Sequence, residues 1–560
     1  MTHPLFTKHE ARLNQALDAI ARRGYWSPFA ESPSPKVYGE GAPEAGKAAF
    51  DALLNAPFEL IQAGTVMPMN WDLRIGGERS PYGFDLGVTY PRSDLDQLFP
   101  AIEAARRDWR KAGPQTWAGV CMEILERLNK KSFEIAHAVM HTTGQAFMMA
   151  FQAGGPHAQD RGMEAVAYAW DELRRIPASA DWEKPQGKND PLRMKKHYTV
   201  MPRGIGLVIG CCTFPTWNGY PGLFASLATG NAVVVKPHPG AILPLAITVK
   251  VAREVLEEAG FNPDVVTLVT HETGDDTAKK LALRPEVKLI DFTGSNVNGD
   301  WLEANARQAQ VFTEKAGVNQ IIIDSTDDFK GLVRNVAFSL CLYSAQMCTA
   351  PQNLYIPKDG IETAEGHLSF DQVTAAIGEA IAKLLGDPAR AVEVLGAIQN
   401  DGVEARLDAA SSLGEVVLAS RKIDHPQFPE ARVRTPLLLK LSAADKAKYG
   451  QECFGPVAFA IATASTAESL AIARDMAGKH GALTLSVYTR DAAVKKEAIE
   501  VAEESFVALS INLTGGVFVN QSAAFSDYHG TGGNPAANCA LTDAAFVARR
   551  FCVVQHREHI

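Results

Sequence analysis

From residue 204 onward, short apolar runs alternate with amphipathic stretches. Residues 205–209, 233–235, 265–269, 289–292 and 320–323 are largely apolar runs of strand length. Between them, 220–228, 242–259, 275–283 and 296–307 read as helices. In the second of these, apolar side chains at 245, 249, 252, 256 and 259 follow the 3.6-residue period. Strict alternation of this kind predicts an α/β fold, a doubly wound parallel sheet with helices on both faces, and ligands beyond the carboxyl ends of its strands. A second α/β region follows Phe329. It has a helix over 333–342, strands at 353–356, 417–419, 437–439, 457–461 and 483–488, and a helix over 373–385 ended by Gly386-Asp387-Pro388.

Upstream, 10–22 is helical in pattern, whereas 27–47 is rich in Pro, Ser, Gly and Glu and predicts an extended surface path. Ser93-Asp94 caps a helix with Leu98, Ile102, Ala105 and Trp109 on one face. Val120, Ile124, Leu125 and Leu128 mark a second helix, and 160–175 a third. Residues 176–200 alternate like an exposed strand pair, an edge that a partner subunit would cover. The stretch 547–554 predicts a final strand that adds to another sheet.

Composition narrows the classes. A net charge of −9 excludes a nucleic-acid partner held by bulk charge. The segment from Gly204 to Val235 carries no charge and is long enough to cross a bilayer, but Pro215, Asn218 and Pro221 break it, so no membrane association is expected. Eight cysteines without a C-x-x-C pair predict reduced thiols, a cytoplasmic location and no metal. The start, Met-Thr-His-Pro-Leu-Phe, lacks the pattern of a signal peptide.

The candidate chemistry centres on Tyr343-Ser-Ala-Gln-Met-Cys348-Thr-Ala-Pro-Gln352, where a thiol stands between a helix and a strand. Glu314 lies in Phe-Thr-Glu-Lys-Ala-Gly. Small and apolar neighbours there predict burial, a raised pKa and a general base. Glu452 precedes Cys-Phe-Gly-Pro. Lys236 closes the run Val-Val-Val-Lys-Pro, and Gly294-Ser295 open a helix, a place where free N–H groups attract phosphate. Each is weak alone; on successive units of one sheet they point to a nucleotide.

From about residue 90 to its end the chain resembles the aldehyde dehydrogenase superfamily. The resemblance rests on Cys212-Thr-Phe-Pro215, Gly230-Asn-Ala-Val-Val-Val-Lys-Pro237, Phe292-Thr-Gly-Ser295, Glu314-Lys-Ala-Gly317, the Cys348 loop, Glu452-Cys-Phe-Gly-Pro-Val457 and Phe518-Val-Asn520, in family order. It implies an N-terminal extension (1–90), an NAD(P)-binding domain (91–330) with an oligomerisation hairpin at about 178–203, a catalytic domain (331–520), and a return to the cofactor domain ending in an oligomerisation strand (521–560). The long extension and the Gln-Met-Cys-Thr-Ala loop resemble most the PaaN branch, linked to bacterial phenylacetate breakdown.

The resemblance also implies roles. Cys348 attacks an aldehyde, a hydride leaves to the nicotinamide, and Glu314 activates the water that hydrolyses the thioester. Glu452 holds the nicotinamide ribose, Phe454 packs by the ring, Lys236 touches the adenosine ribose, Gly294 and Ser295 meet the pyrophosphate, and Phe214-Pro215 shape the passage. Two positions depart from the family pattern. Thr213 stands where most members carry the oxyanion Asn, and loss of one such donor costs roughly 100- to 1,000-fold in rate. Thr213 is expected to serve in its place. Pro239, beside His238, replaces the acidic residue of NAD-preferring members, which favours NADP over NAD. Within enzymes the alternative is a CoA-acylating dehydrogenase, against which Glu314 argues. In another class stands a catalytically weak nucleotide-binding relative. A Cys-His hydrolase has no histidine in a marked context. The expected partners are a small aldehyde, CoA-linked or not, and further copies of the chain in a homodimer or homotetramer.

Overall fold

In a computed structural model of the protein, residues 3–65 and 74–560 are described. The rest of the predicted extension, 1–2 and 66–73, lies outside them.

A five-stranded parallel sheet has the order Val266–Leu268, Ala232–Lys236, Ile205–Ile209, Val287–Thr293, Gln310–Glu314. Its central strands are buried along both faces, which is why they read as unbroken apolar runs. Strand order reverses between Ile205–Ile209 and Val287–Thr293, and a crevice for ligands lies beyond the carboxyl ends of such a pair. The seven-stranded sheet runs Glu415–Leu418, Leu437–Ser442, Val457–Thr463, Asn353–Pro357, Gln320–Ile323, Thr484–Tyr488, Ala508–Ile511. All its pairs are parallel except the first.

Gln320–Ile323 therefore belongs to the second sheet, not to the first as its place in the alternation predicted. Only the loop 315–319 separates it from Glu314, so the chain crosses from one sheet to the other between two adjacent strands. The predicted hairpin is present as Ser179–Gln186 and Asn189–Pro202, and the C-terminal strand pairs antiparallel with the latter. That strand is Phe551–His559 rather than 547–554, because the Asp543 side chain accepts from Phe546 N at 2.7 Å and starts a helix over Ala544–Ala548.

The N-terminal extension is an outer layer. Helix Pro4–Arg22 buries Phe6, Leu13, Leu17 and Ile20 against the helices Pro114–Lys130 and Ala158–Arg174. The stretch 27–47 is not wholly extended: Pro35–Tyr38 and Ala42–Asp51 are helical, both opened by a proline in the first turn, where its missing N–H is harmless. Buried Glu78 accepts from the N–H groups of Ile242 and Leu243 and caps helix Leu243–Glu258. Burial pushes its carboxyl up to about 7.

Candidate active site

Helix Phe329–Cys341 ends in a turn over Leu342–Ala345 in which Tyr343, Ser344 and Ala345 have φ of 51°, 50° and 51°. Left-handed backbone costs a non-glycine residue about 1–2 kcal/mol, so the surroundings must hold the turn. The Tyr343 hydroxyl donates to the Thr143 carbonyl, Ser344 Oγ to that of Leu395 at 3.1 Å, and Gln346 Nε2 to that of Ala397 at 3.0 Å. The turn delivers Cys348 to the amino end of strand Asn353–Pro357. Its backbone is pinned by Asn319, whose Nδ2 donates to Cys348 O at 2.7 Å and Ala350 O at 3.1 Å. Asn319 Oδ1 accepts from Leu483 N and Thr484 N at 2.9 and 3.0 Å. Asn319→Ala orphans all four buried groups. We expect kcat to fall about 100-fold with an unchanged KM for cofactor, since a displacement of about 1 Å at the nucleophile suffices for that; steady-state kinetics reads it.

Glu314 ends the edge strand of the five-stranded sheet, fully buried. Its Oε2 accepts from Asn218 Nδ2 at 3.1 Å, and its Oε1 lies 3.2 Å from His529 Nε2. His529 Nε2 is also 3.8 Å from Cys348 Sγ. The carboxyl ends of one sheet and the amino ends of the other thus enclose a thiol, a carboxylate and an imidazole whose ligand atoms lie within 4.8 Å of one another.

Burial and the Glu314 carboxylate drive the Cys348 thiol well above its ordinary range. For Glu314 burial acts upward, but the His529 imidazole and the Cys348 thiol outweigh it, and the net shift is downward. The expectation of a raised pKa is corrected here: it considered burial without the neighbours. Glu314 is thus an ionised acceptor for the proton of a thiol that does not ionise alone. The Cys348 backbone N–H donates to no protein acceptor among the described hydrogen bonds.

The aldehyde dehydrogenase family profile matches residues 81–538. The chain belongs to the aldehyde dehydrogenase family. The crystal structure of an NAD-dependent aldehyde dehydrogenase from Burkholderia multivorans is 67% identical, covers 100% of both chains, and superposes with a TM-score of 0.98. The aldehyde dehydrogenase LUC3 of Fusarium is 25% identical over 72% of this chain and 79% of its own. A 1-pyrroline-5-carboxylate dehydrogenase from Thermus with bound NAD shares the fold, at 18% identity and a TM-score of 0.73 over 96% of this chain and 99% of its own.

Against this family frame the remaining site residues fall into two groups. Thr213, Phe214 and Pro215 form the turn from strand Ile205–Ile209 into helix Pro215–Ala228. The Phe214 ring meets Tyr343 edge-on at 5.6 Å and walls the cysteine loop. Thr213 is buried. Among the described hydrogen bonds none joins it to Cys348. Asn218, not its substitute by alignment, is the side-chain amide hydrogen-bonded to Glu314.

The second group surrounds the crevice. Lys236 ends its strand buried, its amine pushed down to about 8 by loss of solvent. His238 is pushed down to about 4 by burial, then by Lys236 and His271. The His238 ring accepts from Gly240 N across Pro239. Ser295 precedes helix Asn296–Asn305 without a side-chain cap, and Gly294 N donates to Glu314 O at 3.1 Å. Glu452 is pushed up to about 8 by burial. Phe454 is half-buried, its carbonyl accepting from Arg406 at 3.2 Å.

His529 and Asn319 were missed from the sequence, and Asn218 was given no part in the site. His529 stands 181 residues from Cys348 in a loop-rich stretch. Its one local signal is the following Gly530-Thr531-Gly532, where Gly530 and Gly532 have φ of 72° and 76° and mark a tight, held turn.

Proposed function

We propose that this enzyme oxidises an aldehyde to its carboxylic acid with NAD, through a thiohemiacetal and then a thioester on Cys348. The observation that carries the reading is the pairing of the Cys348 thiol with the buried Glu314 carboxylate at the junction of the two sheets. Glu314 takes the thiol proton as Sγ adds to the carbonyl carbon. The oxyanion accepts from the Cys348 N–H and from the Thr213 hydroxyl. Having released that proton to solvent, Glu314 removes a proton from the water that attacks the thioester and passes it to the departing sulfur.

The residues present fit a nicotinamide dinucleotide. The uncapped start of helix Asn296–Asn305 leaves backbone N–H groups for phosphate oxygens, and Lys236 and Glu452 stand ready for hydroxyls. When bound, that group takes up the hydride. NAD is favoured over the NADP that Pro239 led us to expect, because the 67% identical Burkholderia protein is NAD-dependent. The cofactor half is the five-stranded sheet and the catalytic half the seven-stranded one. The exposed hairpin and its C-terminal strand serve a homodimer or homotetramer, and eight free cysteines suit a reducing cytoplasm.

For substrate we propose an open-chain semialdehyde of phenylacetate breakdown, CoA-linked, on the resemblance to the PaaN branch. The test is a panel of aldehydes with NAD and NADP, each with and without free CoA. We expect acid to form without free CoA, with the larger kcat/KM for NAD. Acyl-CoA formed only when CoA is added would replace hydrolysis by acylation.

A pH prediction follows from Glu452. Its proton leaves as pH rises through about 8, and the carboxylate accepts ribose hydroxyls better than the acid does. Lys236 loses its charge in the same window and acts the other way. Between pH 7 and 9 the KM for NAD, relative to that of Glu452→Gln at each pH, should therefore fall, by up to about tenfold.

A further inference from the structure

We propose that Cys348, His529 and Glu314 form a three-ligand site for a zinc-class divalent cation, and that loading it switches the enzyme off. A thiolate, an imidazole and a carboxylate are the donor set of a zinc site with one open position. The spacing fits. Ligand bonds of about 2.3 Å to sulfur and about 2.0–2.1 Å to nitrogen and oxygen, at tetrahedral angles, put sulfur about 3.6 Å and oxygen about 3.4 Å from the imidazole nitrogen. The observed separations are 3.8 Å and 3.2 Å.

A second observation is independent of that spacing. Glu314 Oε1 is buried and accepts no hydrogen bond. It lies 3.2 Å from His529 Nε2 with no aligned donor among the described hydrogen bonds, so it is open to a cation shared with that imidazole. The ligands are also held. Asn218 Nδ2 donates to the other oxygen of Glu314. Ser522 Oγ stands 3.4 Å from His529 Nδ1, and the His529 backbone bridges Leu541 in both directions. The Trp217 ring abuts the imidazole edge-on at 4.6 Å. Partners of this kind fix the orientation of a metal-bound histidine.

Binding is a substitution: the thiol proton leaves Cys348, a sulfur–metal bond forms, and no electrons change hands. The metal then occupies the sulfur lone pair that attacks the aldehyde and the carboxylate that accepts the proton. Inhibition should be competitive with aldehyde and reversed by a chelator. The binding half of the proposal does not depend on the dehydrogenase mechanism; the inhibition half rests on it.

The experiment uses the full-length protein, stripped of metal, with Co(II) as spectroscopic probe and Zn(II) as competitor. We expect one equivalent of cobalt to give a near-ultraviolet thiolate-to-cobalt band and tetrahedral visible bands, both lost on adding zinc. Cys348→Ser should abolish the ultraviolet band. His529→Gln should weaken zinc binding at least about 100-fold while Cys348 stays reactive to iodoacetamide, which shows the fold is intact. Zinc should protect Cys348 from iodoacetamide in the wild type. The surface pair His197 and His556, stacked at 4.7 Å, is the control for adventitious binding, and His556→Ala should change nothing. A cobalt band that survives Cys348→Ser, or zinc affinity unmoved by His529→Gln, overturns the proposal. Cobalt spectra as expected without inhibition would leave the metal site standing and refute the nucleophilic role of Cys348.

Discussion

Cys348→Ala should lower turnover by at least about four orders of magnitude, because under the proposed mechanism it removes the covalent nucleophile and so the whole two-step path, not one contact in it. Glu314 cannot replace it: its carboxylate is aimed at the thiol and at Asn218 and His529, and without sulfur there is no thioester for its water to attack. Cofactor affinity should be unchanged, since Lys236 and Ser295 sit on the other sheet. The fold should also hold. The side chain is partly exposed, and the loop is pinned through backbone atoms by Asn319. Single-turnover absorbance of the reduced cofactor, with cofactor binding measured alongside, reads both arms. Turnover within 100-fold of wild type would mean another group carries the acyl chain.

Arg550→Ala should destabilise the protein by about 3–5 kcal/mol, the usual effect of leaving one member of a buried ion pair unpaired. The guanidinium is wholly buried and bidentate on Asp291, with Nη2 to Oδ1 at 2.5 Å and Nη1 to Oδ2 at 2.8 Å. Nη1 also donates to Ser226 Oγ at 2.8 Å, and Nε to the Phe546 carbonyl at 3.1 Å. The plane lies against Phe312 and Phe546, 4.4 and 4.2 Å from their ring centres. Asp291 also fills the room a side chain would need at Gly222, so it cannot turn away without repacking helix Pro215–Ala228. The expected signature is a lower urea midpoint, with Asp291→Ala comparably damaging and the double variant Asp291→Ala/Arg550→Met less damaging than the sum. Additive losses would show that the two residues stabilise the fold separately. Because Arg550 immediately precedes the strand Phe551–His559, the single variant should also loosen any assembly that this strand supports.

Much of the architecture was open to reading in the chain itself, for a local reason. Strands buried on both faces, such as Ile205–Ile209 and Ala232–Lys236, can only be continuous apolar runs, and the helices between them only amphipathic ones. The α/β class and the thiol loop followed from that pattern, from glycine placement and from the family motifs. The same local signals failed at 547–554, where the Asp543 cap converts apolar residues to helix, and at 27–47, where proline opens helices instead of breaking them.

What only the tertiary structure decided is who stands beside whom. Apolar periodicity says which face of a strand is buried, not which strand lies next to it, so Gln320–Ile323 was assigned to the wrong sheet. The titration of Glu314 is a balance between burial and the charges around it. The neighbour that tips it, His529, lies more than two hundred residues away along the chain. His529 itself has no periodicity or motif to announce it; two sheets meeting edge to end bring it to Cys348. The sequence alone determined the class, because that depends on residue type and near neighbours, and its family motifs singled out Cys348 and Glu314 as candidates. The imidazole, the amide of Asn218 and the clamp of Asn319 were decided by packing, which joins positions that no local pattern connects.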